Sequence, residues 1–354
     1  MNVQKRNDLT SFKVVDFFCG AGGMSCGFSQ AGVRVLAGID IEKQFEETYK
    51  VNNKNAKYLN KDITKYTPEE LKKTVGIDRF DDKLIFIGCS PCQYWSKINT
   101  FKLKSSFTSN LLADFQRFIK FFMPGSVVVE NVPGLVKAKN NNVLLGFLDF
   151  LALNGYKTEW RIVRTDQYGV PQKRNRFVLI ASRIRARINF PEPQIDESLT
   201  VRNFIGISNG FPKISAGHKD DNDFMHWTSS LSDLNSKRLL LTAQDGGTRV
   251  AWKDNPDLQI DAYKGEDNIF KTVYGRLFWD KPASTITTRF IAISCGRFGH
   301  PEENRGLSLR EGATLQTFPK NYKFIGGLVS VAKQIGNAVP PEMARRIALS
   351  IINN

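Results

Sequence analysis

Three short runs carry side chains able to do chemistry, and each follows an apolar stretch. The first, Gly88-Cys89-Ser90-Pro91-Cys92-Gln93, follows residues 84–87. A CxPC run suits a redox pair, half of a zinc site, or a single nucleophilic thiolate stiffened by the proline before it. Zinc is disfavoured, because no second cysteine pair follows and the three histidines, His218, His226 and His300, are far off in sequence. A redox pair normally opens a helix, whereas Tyr94-Trp95-Ser96-Lys97 and the Lys/Ser-rich stretch after it read as a loop.

The second run is Val127-Val128-Val129-Glu130-Asn131-Val132-Pro133-Gly134. A glutamate closing an apolar strand is costly unless its charge or its proton is used. The alternative is a strand-end carboxylate facing water. The turn after it would aim Glu130 at the rim of a sheet, where open α/β enzymes keep their sites. The third run, Asp16-Phe17-Phe18-Cys19-Gly20-Ala21-Gly22-Gly23, lies between an apolar strand and a helix. Its glycines allow a tight turn and a close approach of backbone to ligand. Asp40 ends the next strand about twenty residues on, where a carboxylate can bind ribose hydroxyls. This suits a nucleoside-containing cofactor, but Gly20-x-Gly22-x-x-Ser25 is an incomplete dinucleotide fingerprint, and an ordinary glycine turn is the bland alternative.

The elements that must position these residues follow from hydrophobic pattern. Residues 12–18, 33–39, 84–87, 127–129 and 176–181 read as buried strands. Helices are expected from the glycine run to Gly32, then over 42–51, 111–122 and 143–153, each closed by turn residues. Two more are expected near 309–316 and after Pro340-Pro341. Strands alternating with helices predict a doubly wound, mostly parallel α/β sheet covered on both faces. After Phe190 the chain becomes richer in Gly, Asp, Asn and Ser with short apolar runs, which predicts a second, smaller, loop-rich domain. The expected organisation is a catalytic and cofactor-binding domain over 1–190, a second domain over 191–300, and a return to the first over 301–354.

At 354 residues, 41% hydrophobic and 24% charged, the chain has the make-up of a globular protein. No apolar stretch is long enough for a bilayer, and the polar start carries no secretory pattern. Five cysteines without a regular framework suit a reducing cytoplasm. The net charge of +15 makes a polyanion a natural partner, with a merely solvated basic surface as the alternative. The positive charge is concentrated over 157–187.

The order and spacing of the glycine run, Cys92 and Glu130 resemble the C5-cytosine-specific DNA methyltransferases of bacterial restriction-modification systems. The likeness continues through Gln172-Lys173-Arg174-Asn175-Arg176, which is similar to the family's Gln-x-Arg-x-Arg motif. It extends to His300, Arg305, Arg310-Glu311 and Gln316-Thr317-Phe318-Pro319, and to Gln334-Ile335-Gly336-Asn337-Ala338-Val339-Pro340. It covers nearly all of 12–350 except a variable stretch over 191–272. Two positions depart from the family pattern. Ser90 stands where a second proline is usual, and Ile41 where Trp is frequent, so an adenine would rest on an aliphatic side chain.

The resemblance implies a Rossmann-like, S-adenosylmethionine-dependent fold whose second domain recognises the target in double-stranded DNA. It implies that Cys92 adds to carbon 6 of a flipped-out cytosine, that Glu130 meets N3 and the exocyclic amine, and that Arg174 and Arg176 fix and polarise the base, Arg176 being the better placed. S-adenosylmethionine would be held by Phe18, Gly20, Gly22, Gly23, Asp40, Ile41, Asp62, Ile63, Asn337 and Val339, although Phe18 and Ile63 suit a plain core equally. DNA would be met by Gln93, Ser96, Lys97, Arg249, Thr285 and Ile286. Asp245-Gly246-Gly247-Thr248-Arg249 reads as a flexible loop with one arginine able to read guanine; a surface turn is the alternative. No metal is implied. The expected state is a monomer acting on nucleoid DNA, with any cognate restriction endonuclease sharing the site but forming no stable complex.

Overall fold

The computed structural model describes residues 12–89, 111–137, 142–263, 269–270 and 272–353. Seven strands form one sheet: β1 (Lys13–Phe17), β2 (Arg34–Asp40), β3 (Lys57–Asn60), β4 (Leu84–Gly88), β5 (Ser126–Asn131), β6 (Lys157–Arg164) and β8 (Asn175–Ser182). Their spatial order is β3-β2-β1-β4-β5-β8-β6. The pairs from β3 to β5 are parallel, and β8 runs antiparallel to both β5 and β6. From β1 the chain winds one way to β2 and β3, then returns to place β4 on the other side. The reversal between β1 and β4 is the switch point at which open α/β sheets bind ligands.

The strands form where apolar side chains are continuous. β4 is buried throughout, and so is β5, including its polar ends. β3 and β6 had no such signature. β3 buries only Tyr58, and β6 mixes Lys, Glu and Arg with exposed Trp160 and Ile162 at the sheet edge. Helices α1 (Gly23–Gln30), α2 (Glu46–Asn52), α3 (Pro68–Val75), α4 (Leu111–Phe122), α5 (Gly134–Lys137) and α6 (Asn142–Leu153) connect the strands. α3 starts on a reciprocal Thr67–Glu70 capping box with Pro68 in its first turn, and Gly76 closes it in the left-handed conformation. α4 buries Leu111, Leu112, Phe115, Phe118, Ile119 and Phe122 along one face. The Phe17 ring lies 4.8 Å from Phe115, 5.0 Å from Phe86 and 5.1 Å from Phe118. Each such fully buried ring contributes roughly 2–3 kcal/mol.

Further along are α7 (Asp233–Leu241), α8 (Leu309–Leu315), α9 (Leu328–Asn337) and α10 (Pro341–Ile352), with a two-stranded pair of β7 (Gln172–Lys173) and β9 (Ala283–Ser284). α10 packs closely on α1. A Cβ on Gly27 would stand 2.3 Å from the Pro341 carbonyl oxygen and 2.5 Å from the Ala344 Cβ, so only glycine permits this approach.

By contact density the chain forms two compact units. One comprises Met1–Arg164, Asn175–Pro193 and Val339–Asn354, and contains the large sheet; the other comprises Thr165–Arg174 and Gln194–Ala338. These boundaries differ from the expected ones at 190 and 300. Residues 301–338 pack with the second unit, where the buried Arg310 donates to the Phe224 carbonyl and Gln316 accepts from Gln172. Residues 165–174 join it through β7. Beyond α7, α8 and α9 this second unit is mostly turns and single-turn helices, as its composition suggests. Among the described residues, no helix is long and apolar enough to cross a membrane.

Candidate active site

The C-terminal ends of the parallel strands carry the first unit's candidate residues. Glu130, next to last in β5, is only 2% exposed. β4 pairs with β5 so that Gly88 faces Val129, which sets Cys89 level with Glu130. The Cys89 thiol donates to Glu130 Oε2 at 2.7 Å. On the other side, β8 faces Asn131 with Phe177, and Arg176 lies one step beyond. Arg176 Nε is 2.9 Å from Glu130 Oε1, yet out of line for a hydrogen bond, so Oε1 forms none among the described residues. The Arg176 Nη1 donates to the Asn175 carbonyl. A buried carboxylate oxygen left without a donor is costly, and such a position in a native fold is where a ligand's N–H is expected. Glu130 is therefore not a carboxylate facing water.

Along the sheet, β1, β2 and β3 end in the residues expected to hold a nucleoside. Phe18 follows β1 at φ 60°, a backbone region costly for a side chain of this size, and packs against the core. Gly20 and Gly22 follow at φ 51° and 90°. A Cβ on Gly20 would meet open space, so its glycine answers to the turn and leaves room above the loop. The Gly20 N–H donates to Asp40 Oδ2 at 2.8 Å, and the Glu42 N–H donates to Asp40 Oδ1 at 2.9 Å. Asp40 thus ties the glycine loop to the end of β2. Next to it Ile41 is 62% exposed. Asp62 accepts from the Thr64 N–H and hydroxyl through Oδ1, and its Oδ2 forms no hydrogen bond among the described residues. Ile63 is a core side chain, its carbonyl accepting from Arg117.

Beneath the loop Asp16 is buried, and one of its oxygens accepts from the Ser25 N–H and hydroxyl at 3.1 and 2.6 Å. The same hydroxyl lies 2.9 Å from the Tyr49 hydroxyl, joining β1, α1 and α2. Burial pushes the Asp16 carboxyl up to about 7 despite the Ser25 hydrogen bonds. Its other oxygen has no hydrogen bond among the described residues.

A family model described as C-5 cytosine-specific DNA methylase matches residues 12–353. The chain belongs to this family. It is a DNA (cytosine-5-)-methyltransferase, and its mostly parallel sheet is of the Rossmann-like, S-adenosylmethionine-dependent class. The type II methylase M.HgiDII of Herpetosiphon aurantiacus is 37% identical to it, over 96% of this chain and 94% of that one. The type II methyltransferase M1.HphI of Haemophilus parahaemolyticus is 30% identical, over 97% and 87%. Two solved structures share the fold: a prophage-encoded DNA modification methyltransferase of E. coli, and the methyltransferase EhMeth of Entamoeba histolytica. The first has a TM-score of 0.74 at 21% identity, covering 97% of this chain and 99% of that one. The second has 0.65 at 15%, covering 97% and 98%.

The methylase's other motif residues lie in the second unit, and several differ from expectation. Arg174, expected to fix the base, bonds to backbone carbonyls. It is 5% exposed, donating to the Ile286 carbonyl at 2.8 Å and the Gly336 carbonyl at 3.3 Å. Gln172 accepts from the Ile286 N–H and donates to Gln316, which donates to the Ile335 carbonyl. Ile286 itself is fully buried, which removes it from direct DNA contact, while the half-buried Thr285 donates to the Lys173 carbonyl. Arg249, expected to meet a base, is buried as well. It is 3% exposed, with its guanidinium over the Tyr263 ring and donating to the Ile269 carbonyl. The glycines of its loop serve close packing. A Cβ on Gly246 would stand 1.9 Å from the Phe278 ring, and one on Gly247 2.0 Å from the Ala243 carbonyl oxygen. Asn337 is exposed at the end of α9, and Val339 is buried where the first unit resumes.

The second unit also holds a buried charge cluster that its motif residues build. Arg305 makes two hydrogen bonds to Glu311, at 2.8 and 2.7 Å, and two to Glu303. Glu311 caps α8 reciprocally with Ser308. Burial works against both charges of the Arg305–Glu311 pair. Their attraction overcomes it, holding Glu311 far below the usual carboxylate range and Arg305 above the usual arginine value. Burial, aided by Arg305, pushes His300 down to about 4, despite nearby Glu311 and Glu303.

Cys92, Gln93, Ser96 and Lys97 lie outside the described residues. Cys89 is the residue that sequence reasoning passed over, having been weighed only as half of a CxPC run. Its register against Glu130 depends on the pairing of β4 with β5, and no local pattern carries that. Among the described residues, no cluster of His, Cys, Asp and Glu could hold a metal ion.

Proposed function

We propose that this methylase modifies a cytosine within a specific sequence of double-stranded DNA through a covalent adduct with Cys92, using S-adenosylmethionine as the methyl donor. The observation that carries the reading is the buried Glu130 carboxylate, with one oxygen held by a thiol and the other lacking a hydrogen bond beside Arg176. A cytosine edge offers the matching groups in N3 and the exocyclic amine. Carbon 5 is a poor nucleophile until a thiolate adds to carbon 6, and Cys92 supplies that thiolate. Glu130 manages the proton at N3 as charge develops on the ring, and Arg176 orients and polarises the base. Bound S-adenosylmethionine supplies an electrophilic methyl group. The residues present fit its nucleoside: open space above Gly20, an exposed apolar platform at Ile41, the carboxylate of Asp40, and a carboxylate oxygen of Asp62 suited to accept from an adenine amine. Phe18, Gly22, Gly23 and Ile63 shape the same strand ends.

The reaction requires the base to leave the stack, at a cost of a few kcal/mol. Gln93, Ser96 and Lys97, immediately after Cys92, hold the flipped nucleotide and its phosphates. Residues 191–300 choose the sequence, through side chains other than the buried Arg249 and Ile286. The type II methylases it resembles support a role as the modification enzyme of a restriction-modification system. In this reading it works as a monomer in the cytoplasm, sharing its site with an endonuclease without a stable complex. The test is transfer of labelled methyl to duplex DNA and, separately, to RNA, followed by bisulfite sequencing. We expect label in DNA alone and protected cytosines within one fixed sequence. Label confined to RNA contradicts the substrate, and protection without a sequence rule contradicts the recognition role.

A further inference from the structure

We infer that Cys89 is a positioning residue for the methylase, holding the Glu130 carboxylate so that its second oxygen faces the base instead of closing on Arg176. Cys89 stands one residue beyond β4, its N–H reaching the Phe17 carbonyl at 3.3 Å, so its backbone is fixed by the sheet. Its thiol donates to Glu130 Oε2 at 2.7 Å. Glu130 Oε1 lies 2.9 Å from Arg176 Nε without a hydrogen bond. Free guanidinium and carboxylate groups prefer the two-pronged, in-line arrangement. Here that arrangement would spend both oxygens of Glu130, and two N–H groups of Arg176, on each other. A donor on Oε2 from the opposite strand opposes that rotation. A thiol is a weak donor, strengthened by the charge of its acceptor. It therefore biases the carboxylate without locking it, as suits a group that must exchange a proton with the base.

This inference rests on the reading of Glu130 as the group that meets the base. The test compares single-turnover methylation by wild type, Cys89→Ala, Cys89→Ser, Glu130→Gln and the double variant Cys89→Ala/Glu130→Gln, with melting temperatures for each. Losing one modest hydrogen bond to a charged group should slow the Cys89→Ala chemical step about fivefold to tenfold with KM for DNA little changed. Cys89→Ser, which keeps a donor, should recover most of that loss. In the double variant, removal of the thiol should cost nothing beyond Glu130→Gln, because Cys89 acts only through that carboxylate. Equal slowing in Cys89→Ala and Cys89→Ser with lowered melting temperatures would make Cys89 a packing residue and overturn the inference. Wild-type rates in Cys89→Ala beside a slow Glu130→Gln would overturn it as well and spare the reading of Glu130. A fast Glu130→Gln would overturn both.

Discussion

Among the described residues, each unit buries a carboxylate–guanidinium pair, Glu130–Arg176 and Glu311–Arg305, and the two differ in what is left unsatisfied. In the second unit Arg305 and Glu311 meet in two hydrogen bonds, Glu303 takes two more, and Ser308 uses the rest of Glu311 in a helix cap. In the first unit Glu130 and Arg176 touch at one distance, out of line, with a thiol on the other oxygen. A buried charge whose bonds are all internal is scaffold. One that keeps an unfilled bond at a strand end is where a substrate completes the set. The same contrast separates Arg174 from Arg176, two positions apart in one motif. The first braces backbone carbonyls, and the second stands beside the open carboxylate.

The largest effects should come from neutralising the two carboxylates, in opposite currencies. Glu130→Gln should slow methylation at least about 10²-fold, the scale of a lost acid–base group, with little change in thermal stability. Glu311→Gln removes one of the two carboxylates that pair with the buried Arg305 and should cost about 3 kcal/mol of stability, while the fraction that remains folded turns over normally. A slow but fully stable Glu311→Gln would break the comparison. Next in size are the arginines. Arg174→Met should cost about 1–3 kcal/mol by leaving carbonyls unpaired. Arg176→Met leaves the buried Glu130 without its cation, so it should cost stability as well, and unlike Arg174→Met it should also impair turnover. Denaturant titration beside single-turnover rates reads both.

The two units should also respond to pH with opposite slopes. Asp16, pushed up to about 7 by burial, binds its proton more tightly folded than unfolded. Its contribution is full below the ordinary aspartate value and is lost as pH rises through about 7. His300, pushed down to about 4, is held neutral in the fold. Its contribution is full above the ordinary histidine value of about 6.5 and is lost as pH falls through about 4. Between about pH 4 and 7, stability should therefore lose a component that falls with rising pH in Asp16→Asn and a component that rises with pH in His300→Gln. Parallel curves for wild type and variants would contradict these assignments. The smallest effect concerns recognition. Arg249→Lys should leave the methylated sequence and the salt dependence of DNA binding unchanged, because the arginine is buried. A changed target would return Arg249 to the interface.

Much of the first unit was legible in the sequence, because its central strands bury both faces and read as continuous apolar runs. The edge strands β3 and β6 were not, since one buries a single side chain and the other alternates with charge. The residues of the site were legible as types. What each bonds to was not, because that depends on register across strands. Gly246 and Gly247 show the same limit. In sequence they suggest flexibility, yet in the fold they permit close packing against Phe278 and Ala243. Arg174 and Arg176 alternate along the chain with nothing local to tell brace from binder.

The central claim is that Cys92 is the nucleophile and Glu130 its acid–base partner, and DNA carrying 5-fluorocytosine at the target position tests it most directly. After methyl transfer the group at carbon 5 must leave as a cation, which fluorine cannot do, so a covalent enzyme–DNA adduct should persist. We expect a complex that survives denaturant, requires S-adenosylmethionine, is absent in Cys92→Ser and still forms in Cys89→Ser. No trapping by the wild type, or trapping that maps to Cys89, would contradict the account and return the CxPC run to redox chemistry.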